Sequence, residues 1–92
     1  RIAKQLLQQR LAACVHVHSM GTSLYEWQGQ LQQRQECSMV CKTNQHCVAR
    51  LIRLIKQLHS DDTPEILVLP VIDGDADYCR WLQQTTAARV QP

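Results

Sequence analysis

The chain has 92 residues, of which 45% are hydrophobic and 20% are charged, with ten Lys and Arg against eight Asp and Glu. A chain of this length forms one domain with a small core, so oligomerisation is expected to add to its stability. The net charge of +2 is too small for a nucleic-acid-binding surface, and no apolar run approaches the ~18 residues of a membrane span. Neither nucleic acid nor a membrane is an expected partner.

The first half of the chain predicts a helix followed by a long β-hairpin. Apolar residues lie on one side of a helical wheel over residues 2–12, which is typical of a helix that packs one face. From residue 13 the pattern has period two, which indicates a strand over 13–27 with a bend at Gly21. A turn signal at 27–30 then leads into a second strand over 31–43.

The second half predicts a helix, a buried strand and a final helix. Thr43 or Asn44 can cap a helix that runs to His59 with apolar residues at i, i+3, i+4 and i+7. The continuous apolar run over 65–72 is typical of a strand buried on both faces. A short helix over 76–86 follows. The side chains expected to face inward from it are Tyr78, Trp81 and Leu82.

This order of elements predicts an α+β fold of the split β-α-β type, the ferredoxin-like plan, as a single domain over residues 1–92. The plan needs one more strand in the interior of the sheet, before the first helix. We expect residues upstream of residue 1 to supply it, because each buried unpaired backbone group costs about 1–3 kcal/mol.

The five cysteines do not form a regular disulfide framework. They lie at positions 14, 37, 41, 47 and 79, an odd number without a Cys-x-x-Cys pair, which argues against a zinc knuckle or a thioredoxin-type site. Such cysteine usage is typical of a reducing compartment, so a cytoplasmic location is expected.

Local motifs along nearly the whole chain resemble one known family. They are Leu-Ala-Ala-Cys-Val at 11–15, Gly-Thr-Ser-Leu-Tyr-Glu-Trp-Gln-Gly at 21–29, Lys-Thr at 42–43, Thr-Pro-Glu-Ile at 63–66, and Leu-Pro-Val-Ile-Asp-Gly at 69–74, followed by Tyr78 and Trp81. In their order and separation they are similar to the CutA divalent-cation tolerance proteins. The resemblance implies a cytoplasmic homotrimer of ferredoxin-like subunits, similar in assembly to the PII signalling proteins. It also implies a role in the response to metal ions, with binding of Cu(II) or another divalent metal and no organic cofactor.

The copper ligands that the resemblance implies are matched only at His59. They are a cysteine in the first strand and two adjacent histidines before a Pro-Tyr pair, whereas this chain has Leu58-His59. Asp61, Asp62 and Glu65 follow His59, and an imidazole with carboxylates is adequate for a weak divalent-metal site. In the alternative interpretation, His59 interacts with the helix dipole and the aspartates are merely solvated.

A second candidate metal site lies on the first strand, where Cys14, His16, His18 and Met20 alternate. At i, i+2 spacing they share one face, with Cα atoms about 6.5–7 Å apart. Imidazole suits copper and zinc, and thiolate or thioether selects Cu(I). In the alternative interpretation, the sulfur side chains fill a core or a subunit interface and the histidines form surface hydrogen bonds.

The register of the hairpin decides what lies opposite these side chains. An unbroken hairpin would pair His16 with Cys41, His18 with Met39 and Met20 with Cys37. A single bulge at Gly21 would shift the register by one residue. The partners would then be Lys42, Val40 and Ser38.

No catalytic motif is present, so an enzyme is not expected. Tyr25 and Trp27 at the end of the hairpin could form a ligand slot, but large aromatic residues are enriched where subunits meet. The alternative function is a PII-like small-molecule sensor or interaction module without a direct metal role. An acylphosphatase-like enzyme shares the fold plan and is a third interpretation.

Overall fold

A computed structural model of the chain describes residues 1–86 as three helices and a long hairpin. In chain order the elements are α1 (Ile2–Gln8), β1 (Cys14–Val17), β2 (Gly21–Trp27), β3 (Gln30–Glu36), β4 (Met39–Lys42), α2 (Val48–Leu58) and α3 (Ala76–Thr86), with a 3₁₀ turn over Gln45–Cys47 before α2. β1 pairs with β4 and β2 pairs with β3, both antiparallel. The predicted α+β class and the predicted hairpin are confirmed.

α1 ends four residues before its predicted end. Arg10 adopts a left-handed backbone conformation with a φ of 58°. The backbone N–H groups of Arg10 and Leu11 donate to the carbonyl oxygens of Leu7 and Leu6, respectively. These bonds form a Schellman motif, in which the left-handed residue is usually glycine. Because arginine occupies that position, the usual sequence signal for a helix end is absent, and the predicted end at residue 12 was wrong.

The core lies between α1, α2 and the β1–β4 ladder. Its buried hydrophobic residues are Leu6, Leu11, Ala12, Cys47, Leu51 and Ile55. Val15 of β1 and Cys41 of β4 pack against this cluster, which identifies the face of the ladder that is turned inward. α2 contributes residues one turn apart, as its apolar periodicity predicts. Asn44 caps the 3₁₀ turn as expected, since its side-chain oxygen accepts from the backbone N–H of His46 at 2.8 Å.

The strand predicted over 65–72 is not formed. No strand or helix is present between α2 and α3, and Ile72 is 97% exposed. Ile66 packs against the core, but the apolar side chains after it are exposed. Within residues 1–86 the four strands form two separate pairs, and neither pair extends to this segment. A strand needs a neighbour for its backbone hydrogen bonds, and that neighbour is missing here.

α3 has the predicted bounds, but its aromatic residues do not face inward. Tyr78 and Trp81 are both exposed and lie against one another, with ring centroids 5.5 Å apart, while Leu82 is half-buried. The side chain of Asp75 accepts from the backbone N–H of Tyr78 at 2.9 Å, which caps the helix. The prediction of inward packing was wrong for the two aromatic residues, because no apolar surface covers them in the described part of the chain.

Candidate metal-binding site

The two ladders of the hairpin meet at a bulge. Pairing of β2 with β3 stops at Gly21 opposite Glu36, and pairing of β1 with β4 resumes at Val17 opposite Met39. The first arm of the hairpin therefore has three intervening residues and the second arm has two. The extra residue lies in the first arm, just before Gly21, close to where the sequence predicted a bulge.

The direction of the register shift differs from the predicted one. His16 lies opposite Val40, and the backbone N–H of His18 donates to the carbonyl oxygen of Ser38 at 2.9 Å. The two partners predicted for His16 were Cys41 and Lys42, and both predictions were wrong. The extra residue in the first arm shifts the pairing by one residue in the direction opposite to the predicted shift. Cys41 therefore lies opposite Val15 and shares its inward face.

His16 and His18 lie side by side on the outward face of the hairpin. Their ring centroids are 4.7 Å apart and their planes are inclined by 59°, and both side chains are exposed. Because metal–imidazole bonds are about 2.0–2.1 Å long, one nitrogen of each ring can reach a common ion by side-chain rotation. Of the four predicted ligands, these two are the pair that the fold brings together.

Cys14 belongs to the same alternation and is half-buried at the start of β1, opposite Lys42. Its nearest cysteine is Cys41 on the adjoining strand. Burial, with a smaller contribution from Cys14, raises the pKa of the Cys41 thiol. Since the thiolate is the form that binds metal, this shift disfavours Cys41 as a ligand relative to an exposed thiol.

His59 lies at the C-terminal end of α2, in a different hydrogen-bond network. Its Nδ1 accepts from the backbone N–H of Asp61 at 2.9 Å, which places the proton of the neutral ring on Nε2. Because a metal binds a nitrogen lone pair, metal binding at either nitrogen of His59 requires this hydrogen bond to break. Both carboxylate oxygens of Asp61 lie within 3.0 Å of the guanidinium of Arg34. The negative charge that would help to hold a cation beside His59 is therefore paired with arginine.

The predicted ligands do not form a single group. Within residues 1–86, no three His, Cys, Asp or Glu side chains lie close enough together to hold a metal ion. The candidate sites that remain are the pair formed by His16 on β1 and His18 directly after it, and the imidazole of His59. Metal binding at either one would leave the remaining coordination positions to water or to groups from another molecule.

Sequence reasoning did not single out Arg34, which links the hairpin to the loop after α2. Hydrogen bonds to Tyr25 and to Asp61 raise the pKa of Arg34, which reinforces its positive charge. Tyr25 thus contacts an arginine of the neighbouring strand in addition to any role in subunit contacts. No spacing signal connects residues this far apart in the chain.

A contact between two sulfur atoms lies at the bulge. The thiol of Cys37 donates to the thioether sulfur of Met20 at 3.1 Å, and both side chains are exposed. For an unbroken hairpin, the sequence predicted that Met20 lies opposite Cys37. The contact between these two residues is present although the register of β1 with β4 is shifted.

A shallow groove lies between α1 and α2. It has a volume of about 220 Å³ and is lined by Gln9, Leu11, Arg50, Arg53, Leu54 and Gln57. Small-molecule sites are usually larger, about 300–1,000 Å³, and mostly apolar. The groove therefore does not favour the small-molecule sensor over the metal-binding interpretation.

No helix among the described residues is long and apolar enough to cross a membrane.

Comparison with known sequences supports one assignment over almost the whole chain. The family model of the CutA1 divalent ion tolerance protein matches residues 1–85. The divalent-cation tolerance protein CutA of Pectobacterium atrosepticum is 48% identical over 82 residues, which cover 89% of this chain and 74% of that protein. The protein of the same name from Thermus thermophilus is 41% identical over 85 residues, with 92% and 82% covered.

Solved structures agree with the sequence comparison. The Thermus thermophilus divalent cation tolerance protein superposes with a TM-score of 0.90 at 41% identity, covering 92% of this chain and 82% of that one. A CutA from Archaeoglobus fulgidus, described as periplasmic, has a TM-score of 0.90 at 34% identity, with 94% and 83% covered. The chain therefore belongs to the CutA1 divalent ion tolerance protein family.

Proposed function

We propose that this protein contributes to divalent-cation tolerance by binding Cu(II) or another divalent metal through His16 and His18, without an organic cofactor and without catalysis. The observation that carries the proposal is the exposed pair of imidazoles 4.7 Å apart, with His16 on β1 and His18 directly after it. Family membership supports the divalent class of ion, and imidazole is a suitable ligand for copper and zinc.

The position of the pair on a strand favours metal binding. His16 is held by the ladder of β1 with β4, and the backbone N–H of His18, directly after β1, donates to the carbonyl oxygen of Ser38. The two Cα atoms therefore keep a fixed separation, and only the side chains need to move. Preorganised ligands lose less conformational entropy when the ion binds. Because imidazole binds metal in its neutral form, acidification should release the ion.

Cys14 and His59 have supporting places in this proposal. Cys14 shares the face of the two histidines and could add a thiolate to the same ion. His59 would bind separately, at the end of α2, and would first have to release the backbone hydrogen bond that its Nδ1 accepts. Its variant is therefore a test of whether the protein has a second, independent metal position.

We further propose that the protein is a cytoplasmic homotrimer of ferredoxin-like subunits, with residues 1–92 forming one domain. The exposure of Tyr25 and Trp27 on the hairpin supports assembly. Burying apolar surface between copies contributes about 25 cal/mol per Å², which a small domain needs. Cysteine usage supports the compartment, since all five cysteines are free.

Calorimetric titration with Cu(II) and Zn(II) tests the metal proposal. Loss of a supporting group alone weakens metal sites roughly 10- to 100-fold, so His16→Ala and His18→Ala should each weaken binding at least about tenfold. His46→Ala is the matched control, since His46 is also exposed but lies outside the hairpin, and it should leave the affinity unchanged.

Four results would contradict parts of the proposal. Unchanged Cu(II) affinity in the His16→Ala, His18→Ala double variant would exclude the pair. A loss confined to His59→Ala would move the site to the end of α2. Equilibrium ultracentrifugation that finds only monomer would exclude the trimer, and thermal stabilisation by nucleotides but not by metals would favour the small-molecule sensor.

A further inference from the structure

The sulfur atoms of Met20 and Cys37 form a second potential metal site, chemically different from the histidine pair. They lie 3.1 Å apart at the bulge, with the Cys37 thiol as the donor. The Met20 side chain is 60% exposed, and Cys37 is also exposed. Two soft donors therefore meet at a position open to an ion from solution.

An exposed methionine in contact with an exposed cysteine does not have an obvious packing role. The buried cluster is formed by residues of α1, α2 and the segments that flank them, and neither Met20 nor Cys37 belongs to it. Methionine and free cysteine usually fill apolar interiors. The contact contributes little to the core, which makes a ligand role a more direct explanation of the pair.

We propose that Met20 and Cys37 bind one monovalent soft metal ion, Cu(I), between their sulfur atoms. Thiolate and thioether ligands select Cu(I), whereas imidazole also suits divalent ions. On binding, a copper–sulfur bond replaces the S–H bond of Cys37, and the thiol proton passes to water. Met20 donates a lone pair from its thioether sulfur. The step changes no oxidation state.

The bulge accounts for the position of the two ligands. Met20 is one of the three residues that lie opposite only two residues of the other arm, between the ladders. A bulge locally releases the backbone from the ladder and redirects side chains. Because neither residue lies in a paired strand, both have room to separate and admit an ion between them.

The site is independent of the proposed divalent site. His16 and His18 lie on β1 or directly after it and offer borderline nitrogen ligands, whereas Met20 and Cys37 offer only sulfur. The hairpin would then carry positions for two oxidation states of the same element. Either site can be absent without affecting the other, so their tests are separate.

Protection from alkylation tests the proposal at a single residue. The purified protein is mixed with one equivalent of Ag(I), which is a redox-inert substitute for Cu(I). It is then treated with iodoacetamide, and the alkylation rate of each cysteine is measured by peptide mass spectrometry. The same experiment is repeated with Cu(I) under anaerobic conditions with ascorbate.

Cys37 should be the first cysteine that either ion protects. Since loss of a supporting group alone weakens metal sites roughly 10- to 100-fold, Met20→Leu should lower the affinity at Cys37 at least about tenfold while keeping the thiol. Leucine retains an apolar side chain of similar size, so the variant removes the thioether with little change in shape. Cys79→Ser is the matched control, because it removes a half-buried cysteine of α3, and it should leave the protection unchanged.

Equal protection of Cys37 in Met20→Leu and in the wild-type protein would overturn the proposal, because the thiol alone would then hold the ion. Protection of another cysteine before Cys37 would overturn it as well. The double variant His16→Ala, His18→Ala should keep full protection by Ag(I) even if it loses Cu(II) binding. This result separates failure of the sulfur site from failure of the divalent site.

Discussion

The inner and outer ladders of the hairpin have the same antiparallel pairing but different surroundings. In the inner ladder, β1 with β4, Val15 and Cys41 pack against the buried cluster. In the outer ladder, β2 with β3, pairing continues over the full length of both strands, yet Leu24 and Leu31 are largely exposed. The longer ladder is therefore the one with less apolar burial.

This difference shows that backbone pairing and apolar burial are separate contributions to the fold. An isolated two-stranded hairpin is at best marginally stable in water. The outer ladder has a tight turn at its end and a side-chain contact between Arg34 and Asp61 near its base. We expect the inner ladder to depend on the core, and the outer ladder to depend on its turn, on this ion pair and on contacts with other copies.

The largest expected effect is the difference in free energy of unfolding between a variant in the core and a variant in the outer ladder. Leu6→Ala removes a side chain that is 0% exposed and should lower the free energy of unfolding by about 2–5 kcal/mol. Leu31→Ala removes a side chain that is 79% exposed and should change it by no more than about 0.5 kcal/mol. Urea unfolding of both variants measures the difference. Equal losses would contradict the comparison, and a concentration-dependent loss for Leu31→Ala would indicate that another copy buries the arm.

The next effect concerns the turn of the outer ladder. Gln28 and Gly29 have φ values of 54° and 78°, which is the left-handed backbone typical of a two-residue hairpin turn. Gly29→Ala should lower the free energy of unfolding by about 1–2 kcal/mol, because a Cβ is unfavourable in this conformation. Gly21→Ala is the matched control, since an added Cβ there meets nothing within 4 Å. Thermal unfolding in which both variants behave alike would argue against the role of the turn.

A smaller effect is expected from the ion pair that links the outer ladder to the loop after α2. The Arg34 and Asp61 side chains are 44% and 32% exposed, so Asp61→Asn should lower the free energy of unfolding by no more than about 1 kcal/mol. The loss should shrink at high salt. Asp77→Asn breaks the more exposed pair with Arg80 and serves as the control. A salt-independent loss for Asp61→Asn would assign the effect to its hydrogen bonds alone.

The smallest effect is a pH dependence of the inner ladder. Burial, and then Cys14, raises the pKa of Cys41 above its ordinary value of 9.0, so the folded state holds the thiol proton more tightly than the unfolded state. The resulting stability is present below that value and is lost as the pH rises through the folded-state pKa. Urea midpoints should therefore fall more steeply above about pH 9 in the wild-type protein than in Cys41→Ala. Parallel pH profiles would show that Cys41 does not cause the decline.

Periodicity predicted the elements that bury an apolar face, and local chemistry predicted their caps. α2 and the hairpin follow from apolar spacing and from the Gln28-Gly29 turn, and Asn44 was a recognisable cap. The prediction for 65–72 was wrong because apolar composition indicates burial without supplying a pairing partner. The end of α1 was not predicted because Arg10 occupies the left-handed position of the Schellman motif, and that position is recognisable in a sequence mainly when it is glycine.

The candidate site could be predicted only in part, for reasons of geometry. Alternation places His16 and His18 on one face whatever the register is, so their proximity follows from the sequence. Their partners across the hairpin depend on which arm carries the extra residue, and no local residue type decides that. Arg34 reaches Asp61 through the folding of the whole chain, which leaves no pattern in the local sequence.

The unequal number of residues at the bulge shapes the hairpin without deciding which face carries the imidazoles. Deleting one residue between β1 and β2 would make the two arms equal and would leave Val17 opposite Met39 and His16 opposite Val40. The imidazoles would therefore stay on the outward face. Such a deletion would remove the bend and the added twist that a bulge gives to its strand, so related chains with equal arms should keep the imidazole positions and carry a straighter hairpin.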